Sequence, residues 1–119
     1  MVAPFVTRCL NKAKEHRWST DDILTLVMDR KLQLFVVEDW DKLVSVVLTE
    51  VLVYPRCKEL GVFMWCGEFH EDWLGHTEQL AQWAKAMGCS TMSSMARRGF
   101  SRAMPNYWDE RQTYVVRVL

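Results

Sequence analysis

The sequence lacks any long uninterrupted apolar segment. No run among its 119 residues approaches the ~18 apolar residues that a membrane-spanning helix needs. The stretch 1–16 likewise has no apolar core of signal-peptide length after a basic start. We therefore expect no membrane partner, and a chain that stays in the cytoplasm of the cell that makes it.

The sequence also lacks an excess of either charge. Fifteen Lys and Arg residues balance fifteen Asp and Glu residues. Proteins that bind nucleic acids in general usually carry a basic excess. The balance therefore argues against a general nucleic-acid-binding protein.

Spacings typical of metal and redox sites are missing too. The chain has four cysteines, which are Cys9, Cys57, Cys66 and Cys89. None forms a C-x-x-C pair, and we expect all of them to be buried free thiols. His70 and His76 are six positions apart, whereas two ligands on one helix face need a spacing of four. The sequence predicts no metal site.

No repeat, linker or low-complexity segment interrupts the chain, and its length suits one ordinary core. We therefore expect a single domain, 1–119. What the chain has in excess is tryptophan, at positions 18, 40, 65, 73, 83 and 108. Six are too many for one small core, so we expect some of them in a partner interface, where tryptophan is enriched.

The apolar spacing predicts nine elements. In chain order they are helix 4–17, a helix from Ser19 or Thr20 to 29–31, strands 32–39, 42–55 and 61–66, helix 70–87, strand 89–96, helix 97–104 and strand 111–119. The first two strands, 32–39 and 42–54, are predicted to form an antiparallel hairpin. The β-branched run in 42–55 indicates burial on both faces. Gly67 and Glu68 end strand 61–66, and Gly88 suits the position after a helix end. The alternation predicts a layered sheet with helices packed on it. With the antiparallel hairpin, we expect an α+β fold: a mostly antiparallel mixed sheet with helices on both faces.

Five short motifs occur in this order. They are S-T-D-D at 19–22, Q-L-F-V at 33–36, T-E-V-L-V-Y-P-R at 49–56, Q-W-A-K-A-M-G-C at 82–89, and R-R-G-F-S-R at 97–102 followed by Trp108. Together with the element order, they resemble a shortened GCN5-related N-acetyltransferase. The resemblance is closer to small acetyltransferase-like proteins encoded by tailed bacteriophages, and it covers about residues 18–119.

The resemblance does not extend to the chemistry of active members. Their loop after the fourth strand of the fold reads Q/R-x-x-G-x-G/A, and its backbone N–H groups hold the pyrophosphate of coenzyme A. Here that loop, 67–73, reads G-E-F-H-E-D-W, with one glycine and three acids that repel a pyrophosphate. At the position of the family's general-acid tyrosine this chain has Ala103, which has no proton to give.

The resemblance implies where a cofactor and a base would lie if the protein were an enzyme. Backbone groups of Met64, Trp65, Cys66 and Gly67 would contact coenzyme A, and Glu68 would be the base; otherwise Glu68 is a solvated turn residue. Glu50 is a second acid in a strand, either a base or an edge carboxylate paired with Arg56.

Candidate interaction residues lie mainly near the C-terminus. Arg97, Arg98 and Arg102 surround Phe100, and this basic cluster either contacts a phosphate or an acidic partner surface, or forms a solvated face. Trp40 and Trp108 are interface anchors or core-edge residues.

Three functions follow as hypotheses. The first is a phage-encoded, non-enzymatic binding or assembly protein with a degenerate coenzyme A site and no cofactor. It would contact other phage proteins or itself, in the host cytoplasm during infection or within the virion. The second is an acetyl-coenzyme A-dependent N-acetyltransferase acting on an amine, with acetyl-coenzyme A as cofactor. The third is a small regulator of a host enzyme.

Overall fold

The computed structural model describes residues 2–12, 17–67, 73–94 and 117. Within them it contains three helices and four strands. In chain order these are α1 (Ala3–Lys12), α2 (Thr20–Met28), β1 (Gln33–Asp39), β2 (Lys42–Val53), β3 (Lys58–Gly67), α3 (Trp73–Ala86) and β4 (Thr91–Ser94). The strands form one mixed sheet in the order β1-β2-β3-β4, antiparallel except between β3 and β4.

The first two strands form a tight hairpin. Asp39 pairs with Lys42, so only Trp40 and Asp41 make the turn. Trp40 has a positive φ of 57°, a conformation that two-residue hairpins favour and that costs a non-glycine residue about 1–2 kcal/mol. Further along, Gln33 lies opposite Thr49, whose hydroxyl donates to the Gln33 side chain at 3.0 Å. That bond satisfies a polar group that is fully buried in the sheet.

Strand β2 lies inside the sheet and is buried on both faces. Its central residues are all buried, from Ser45 to Thr49. Successive side chains of a strand point to opposite faces. Leu48 therefore joins one apolar cluster and Val47 the other.

Helices α1 and α2 cover the face on which Leu48 lies. Their buried members, Val6, Leu10 and Ile23, pack with Leu48 in one cluster. A capping box starts α2: the backbone N–H of Asp22 donates to the Ser19 hydroxyl at 3.1 Å, and that of Ser19 donates to the Asp22 carboxylate at 2.9 Å. These bonds to backbone and hydroxyl lower the pKa of Asp22.

Helix α3 covers the opposite face. Leu80 and Ala84 are buried there against Val47 and Leu60. The helix ends in a turn in which Cys89 N–H donates to the carbonyl of Ala84 at 2.9 Å. Gly88 supplies the positive φ of 86° that this ending requires.

Strand β4 then runs parallel to the start of β3. Thr91 and Ser93 both donate hydroxyl hydrogen bonds, each of 2.9 Å, to the carboxylate of Glu59. The polar character of β4 follows from this arrangement, because its hydroxyls bind an acid on the neighbouring strand.

The predicted α+β fold class, with a mixed sheet and helices on both faces, is confirmed. Element ends differ in several places. Arg17 lies in a bend rather than in the first helix, and β3 begins at Lys58 rather than at Gly61, because backbone pairing with β2 extends the strand through polar residues. Cys57 is exposed in the turn before β3 and Cys9 is half-buried, so the expectation that all four cysteines are buried is confirmed only for Cys66 and Cys89.

The predicted helix 97–104 and most of strand 111–119 lie outside the described residues. Arg117 is described; it is exposed and belongs to no strand. None of the helices in the described ranges is long and apolar enough to cross a membrane.

Two valines of β2, one buried and one exposed, test the burial of the centre of this strand. Val46 is 0% exposed and Val53 is 73% exposed. We expect Val46→Ala to lower the free energy of unfolding by about 2–3 kcal/mol, because two buried methyl groups are lost and a cavity remains. Val53→Ala, the matched control, should change it by less than about 0.5 kcal/mol. Urea unfolding measures both, and equal losses would contradict the burial described here.

Candidate functional site: the carboxyl end of the third strand

The ladder between β2 and β3 is interrupted by one extra residue. Leu48 pairs with Met64, but the next residue, Thr49, pairs with Val62, so Phe63 has no partner of its own on β2. Such a bulge bends its strand and increases the local twist, and bulges are common next to functional sites.

The bulge at Phe63 directly follows the last residue of β3 that pairs with the described part of β4, Val62. Within the described residues, β4 pairs with β3 only from Glu59 to Val62. The stretch Phe63–Gly67 therefore has a strand partner on its β2 side alone, among the residues that the structure describes. A strand edge of this kind offers backbone N–H and C=O groups to an extended ligand that carries amides.

Side chains at this strand end are engaged on both faces of the sheet. Met64 packs with the cluster under α1 and α2, and Trp65 packs with the cluster under α3. Cys66 is buried next to α1. A ligand beside β3 would therefore meet mainly the backbone of the predicted residues Met64 to Gly67.

Gly67 ends the strand in a conformation and a space that only glycine suits. Its φ is 109°, and a Cβ atom there would lie 2.5 Å from the carbonyl oxygen of Val44 and 3.1 Å from the Phe5 ring. The absence of a side chain lets β3 lie directly against β2 and α1 at this point.

Two cysteines meet at the same strand end. The Cys9 thiol of α1 lies 3.8 Å from the carbonyl oxygen of Trp65, to which it donates, and it also hydrogen-bonds the thiol of Cys66. That bond from Cys66, aided by the charge of Lys12 and opposed by partial burial, lowers the pKa of Cys9 to about 7. The Cys66 thiol has its pKa raised by the same contact and by its own burial.

The remaining predicted site residues do not gather here. Glu68, Arg97, Arg98, Phe100, Arg102 and Trp108 lie outside the described residues. Trp40 is described and lies in the hairpin turn between β1 and β2, where it is 93% exposed. Of its two predicted roles, core edge and interface anchor, that exposure excludes the first.

A separate cleft of about 460 Å³ lies between the end of α2 and β2. Its walls include Trp18, Arg30, Lys31, Gln33 and Glu50. The sequence places Glu50 in a strand but does not indicate that it lines the same cleft as Arg30 and Lys31, which follow α2. The bulge at Phe63 and the Cys9–Cys66 contact were also missed, since no local pattern joins residues so far apart.

Metal ligands do not cluster in the described part of the chain: no three His, Cys, Asp or Glu side chains come together there. His76 belongs to α3, and His70 lies outside the described residues.

Comparison with known proteins rests on structure alone. No protein-family model matches the sequence, and no curated protein matches it. Solved structures do match the fold. The chain is similar to a ribosomal-protein-alanine N-acetyltransferase from Brucella melitensis biovar Abortus 2308, with a TM-score of 0.64, 19% identity, and 98% of this chain and 93% of that chain covered.

Two further structures have the same fold. An aminoglycoside acetyltransferase from an uncultured soil metagenomic sample, in complex with sisomicin, gives a TM-score of 0.70 at 13% identity over 99% of this chain and 90% of that one. A predicted acetyltransferase with acetyl-CoA from Clostridium acetobutylicum gives 0.70 at 10% identity over 99% and 87%. The fold is thus that of the GCN5-related N-acetyltransferases, as the motif order had indicated.

Alanine substitution at two glycines with positive φ distinguishes the destabilisation caused by steric overlap from that caused by backbone strain. Gly67→Ala should destabilise the protein by more than about 3 kcal/mol, because its Cβ would overlap backbone atoms of β2. At Gly88 nothing lies within 4 Å of an added Cβ, so Gly88→Ala should cost only about 1 kcal/mol, from φ strain. Chemical denaturation of the two variants measures the difference, and similar costs would argue against close contact of β2 and β3 at Gly67.

Proposed function

We propose that this protein is a phage-encoded binding or assembly protein that uses the acetyltransferase fold as a scaffold and does not transfer acetyl groups. In this proposal it contacts other phage proteins, as a component of the virion or of its assembly. The phage attribution rests on the five motifs between Ser19 and Trp108 and on their resemblance to phage-encoded acetyltransferase-like proteins.

The observation that carries the proposal is the sequence that follows β3. Gly67 ends the strand, and the next five residues, 68–72, include Glu68, Glu71 and Asp72. In the acetyltransferase fold this connection faces the pyrophosphate of coenzyme A. A carboxylate about 4 Å from a phosphate charge costs about 1 kcal/mol even in water, and every 1.4 kcal/mol is a tenfold loss of affinity. Acids in this connection therefore oppose cofactor binding.

A second observation favours a role in binding a protein. Trp40 is 93% exposed, in a backbone conformation that costs a non-glycine residue free energy. An exposed tryptophan at the tip of a hairpin supplies a large apolar surface on a two-residue turn, and tryptophan is one of the residue types enriched among binding hot spots. The proposal gives Trp40 the role of an anchor for a protein partner. The Arg97–Arg102 cluster and Trp108, which lie outside the described residues, are further candidate contacts for the partner.

The competing candidate is an N-acetyltransferase that uses acetyl-coenzyme A and acts on an amine. The feature that favours it is the open edge of β3 between Phe63 and Gly67, where backbone groups could bind the two amides of a pantetheine arm. The fold of the structural relatives favours it as well. Glu68 would then accept the proton of the amine.

Calorimetric titration with acetyl-coenzyme A and with coenzyme A distinguishes the two candidates. We expect no saturable binding at millimolar cofactor. The matched variant is Glu68→Gln, Glu71→Gln, Asp72→Asn, which keeps the size of the loop but removes its charges. If the acids are what opposes the pyrophosphate, this variant should gain measurable affinity.

Micromolar binding by the natural chain would overturn the binding-protein proposal. The enzyme candidate would then be tested with Glu68→Gln alone, which should lower turnover of an amine acceptor while leaving cofactor affinity nearly unchanged.

Quantitative mass spectrometry of purified particles tests the virion role. We expect the protein in stoichiometric amounts, and its complete absence would contradict this role. Trp40→Gly should reduce incorporation while changing the free energy of unfolding by less than about 1 kcal/mol, since relief of φ strain offsets the greater chain entropy of glycine. Met28→Ala, which removes another exposed apolar side chain, is the control and should be incorporated normally.

A further inference from the structure

The Cys9–Cys66 contact joins two elements far apart in the sequence. Helix α1 is held on the sheet by Val6 and Leu10, both buried in the cluster that Leu48 shares. Cys9 precedes Leu10, and its thiol donates at 3.8 Å to the carbonyl oxygen of Trp65, the residue before Cys66. The two thiols are close enough to shift each other's pKa. Packing of α1 therefore holds two thiols together at a fixed place.

The two thiols differ in access to solvent. Cys9 is half-buried, whereas Cys66 is only 1% exposed. A small polar oxidant can therefore approach Cys9, while Cys66 can be reached by the sulfur of Cys9 itself.

The two thiols also differ in pKa, and Cys9, the more accessible of the two, is the one that ionises more easily. The pKa of Cys9 lies at about 7, mainly because the Cys66 thiol donates to its thiolate and secondly because Lys12 lies nearby on α1. The pKa of Cys66 is raised above its ordinary value by its contact with Cys9 and by burial. Thiolates, not thiols, react with peroxides. Near neutral pH, Cys9 is thus the nucleophile and Cys66 remains protonated.

We propose that Cys9 is a site of oxidation by hydrogen peroxide and that Cys66 is its resolving thiol, so that a disulfide forms between α1 and the end of β3. This inference rests on the Cys9–Cys66 contact and is independent of the function proposed above.

The chemistry is balanced with peroxide as the oxidant. In the first step the Cys9 thiolate attacks one oxygen of hydrogen peroxide, the O–O bond breaks, and the departing hydroxide takes a proton to become water. The sulfur, oxidised by two electrons, is now a sulfenic acid. In the second step the sulfur of Cys66 attacks the Cys9 sulfur, an S–S bond forms and the S–O bond breaks. The hydroxyl group leaves with the Cys66 proton as a second water.

The other two cysteines provide internal controls. Cys57 is exposed in the turn before β3, and Cys89 is buried in the cluster beneath α3. Neither contacts another thiol among the residues that the structure describes. If solvent access alone decided reactivity, Cys57 would be oxidised first. If the proposed thiol pair decides it, Cys9 is oxidised first, so the order in which the cysteines react distinguishes the two explanations.

The disulfide would fix α1 to the strand end at which Phe5 approaches Gly67. It would also link positions 9 and 66 and so close a long loop in the unfolded chain, which reduces the entropy of the unfolded state. We therefore expect the oxidised protein to resist urea better than the reduced protein does.

The experiment is a hydrogen peroxide titration of the reduced full-length chain, followed by alkylation, intact mass measurement and peptide mapping. We expect a mass loss of about 2 Da, a linked Cys9–Cys66 peptide, a higher urea midpoint and full reversal by dithiothreitol. The rate should be about tenfold greater at pH 8 than at pH 6, because the thiolate of a group with a pKa near 7 becomes the dominant form over that interval.

Variants assign the two roles. Cys66→Ser, which keeps a hydrogen-bond donor beside Cys9, should leave a sulfenic acid at Cys9 that dimedone traps. Cys9→Ser and Cys9→Ala should both abolish the rapid phase, and Cys57→Ala should leave it unchanged. Oxidation that starts at Cys57, a rapid phase that survives in the folded Cys9→Ser variant, or a linked peptide other than Cys9–Cys66 would each overturn the proposal.

Discussion

The requirement to bury β2 on both faces is the constraint on which the rest of the structure depends. Its central residues include Val46, Val47 and Leu48, and a strand with apolar side chains in both directions cannot stay in contact with water. It therefore needs strands on both edges and a layer of helices on each face. β1 and β3 supply the edges, α1 and α2 cover one face, and α3 covers the other.

The same constraint explains where the candidate site lies. Because β2 holds β3 in register along most of its length, the extra residue Phe63 must bend β3 away from its earlier course. β4 pairs with the straight part of β3, and the carboxylate of Glu59 ties it there. Among the residues that the structure describes, the part of β3 beyond the bulge has a strand partner only on its β2 side. A strand edge of this kind can bind an extended ligand whether or not that ligand is coenzyme A.

In the proposed function, fold and activity separate at the segment after β3. The opening at the strand edge suits an extended, amide-bearing ligand, whereas the acids at 68–72 do not suit a pyrophosphate. A scaffold can outlast the activity for which its geometry is suited, because the core of the sheet and the groups that bind a ligand are different residues. Here the core residues include Val46, Val47 and Leu48 of β2 and Leu80 and Ala84 of α3, and the acids at 68–72 are none of them.

Local sequence determined the elements and the class of fold. The S-T-D-D start predicted the capped helix α2, the run of β-branched residues predicted a strand buried on both faces, and Gly88 predicted the end of α3, since each of these signals acts through neighbours in the chain. The motif order also indicated the acetyltransferase fold. Only the tertiary structure decided the bulge at Phe63, the crowding at Gly67 and the meeting of Cys9 with Cys66. These depend on register and on the docking of α1, which join residues distant in the sequence and leave no periodic signal in it.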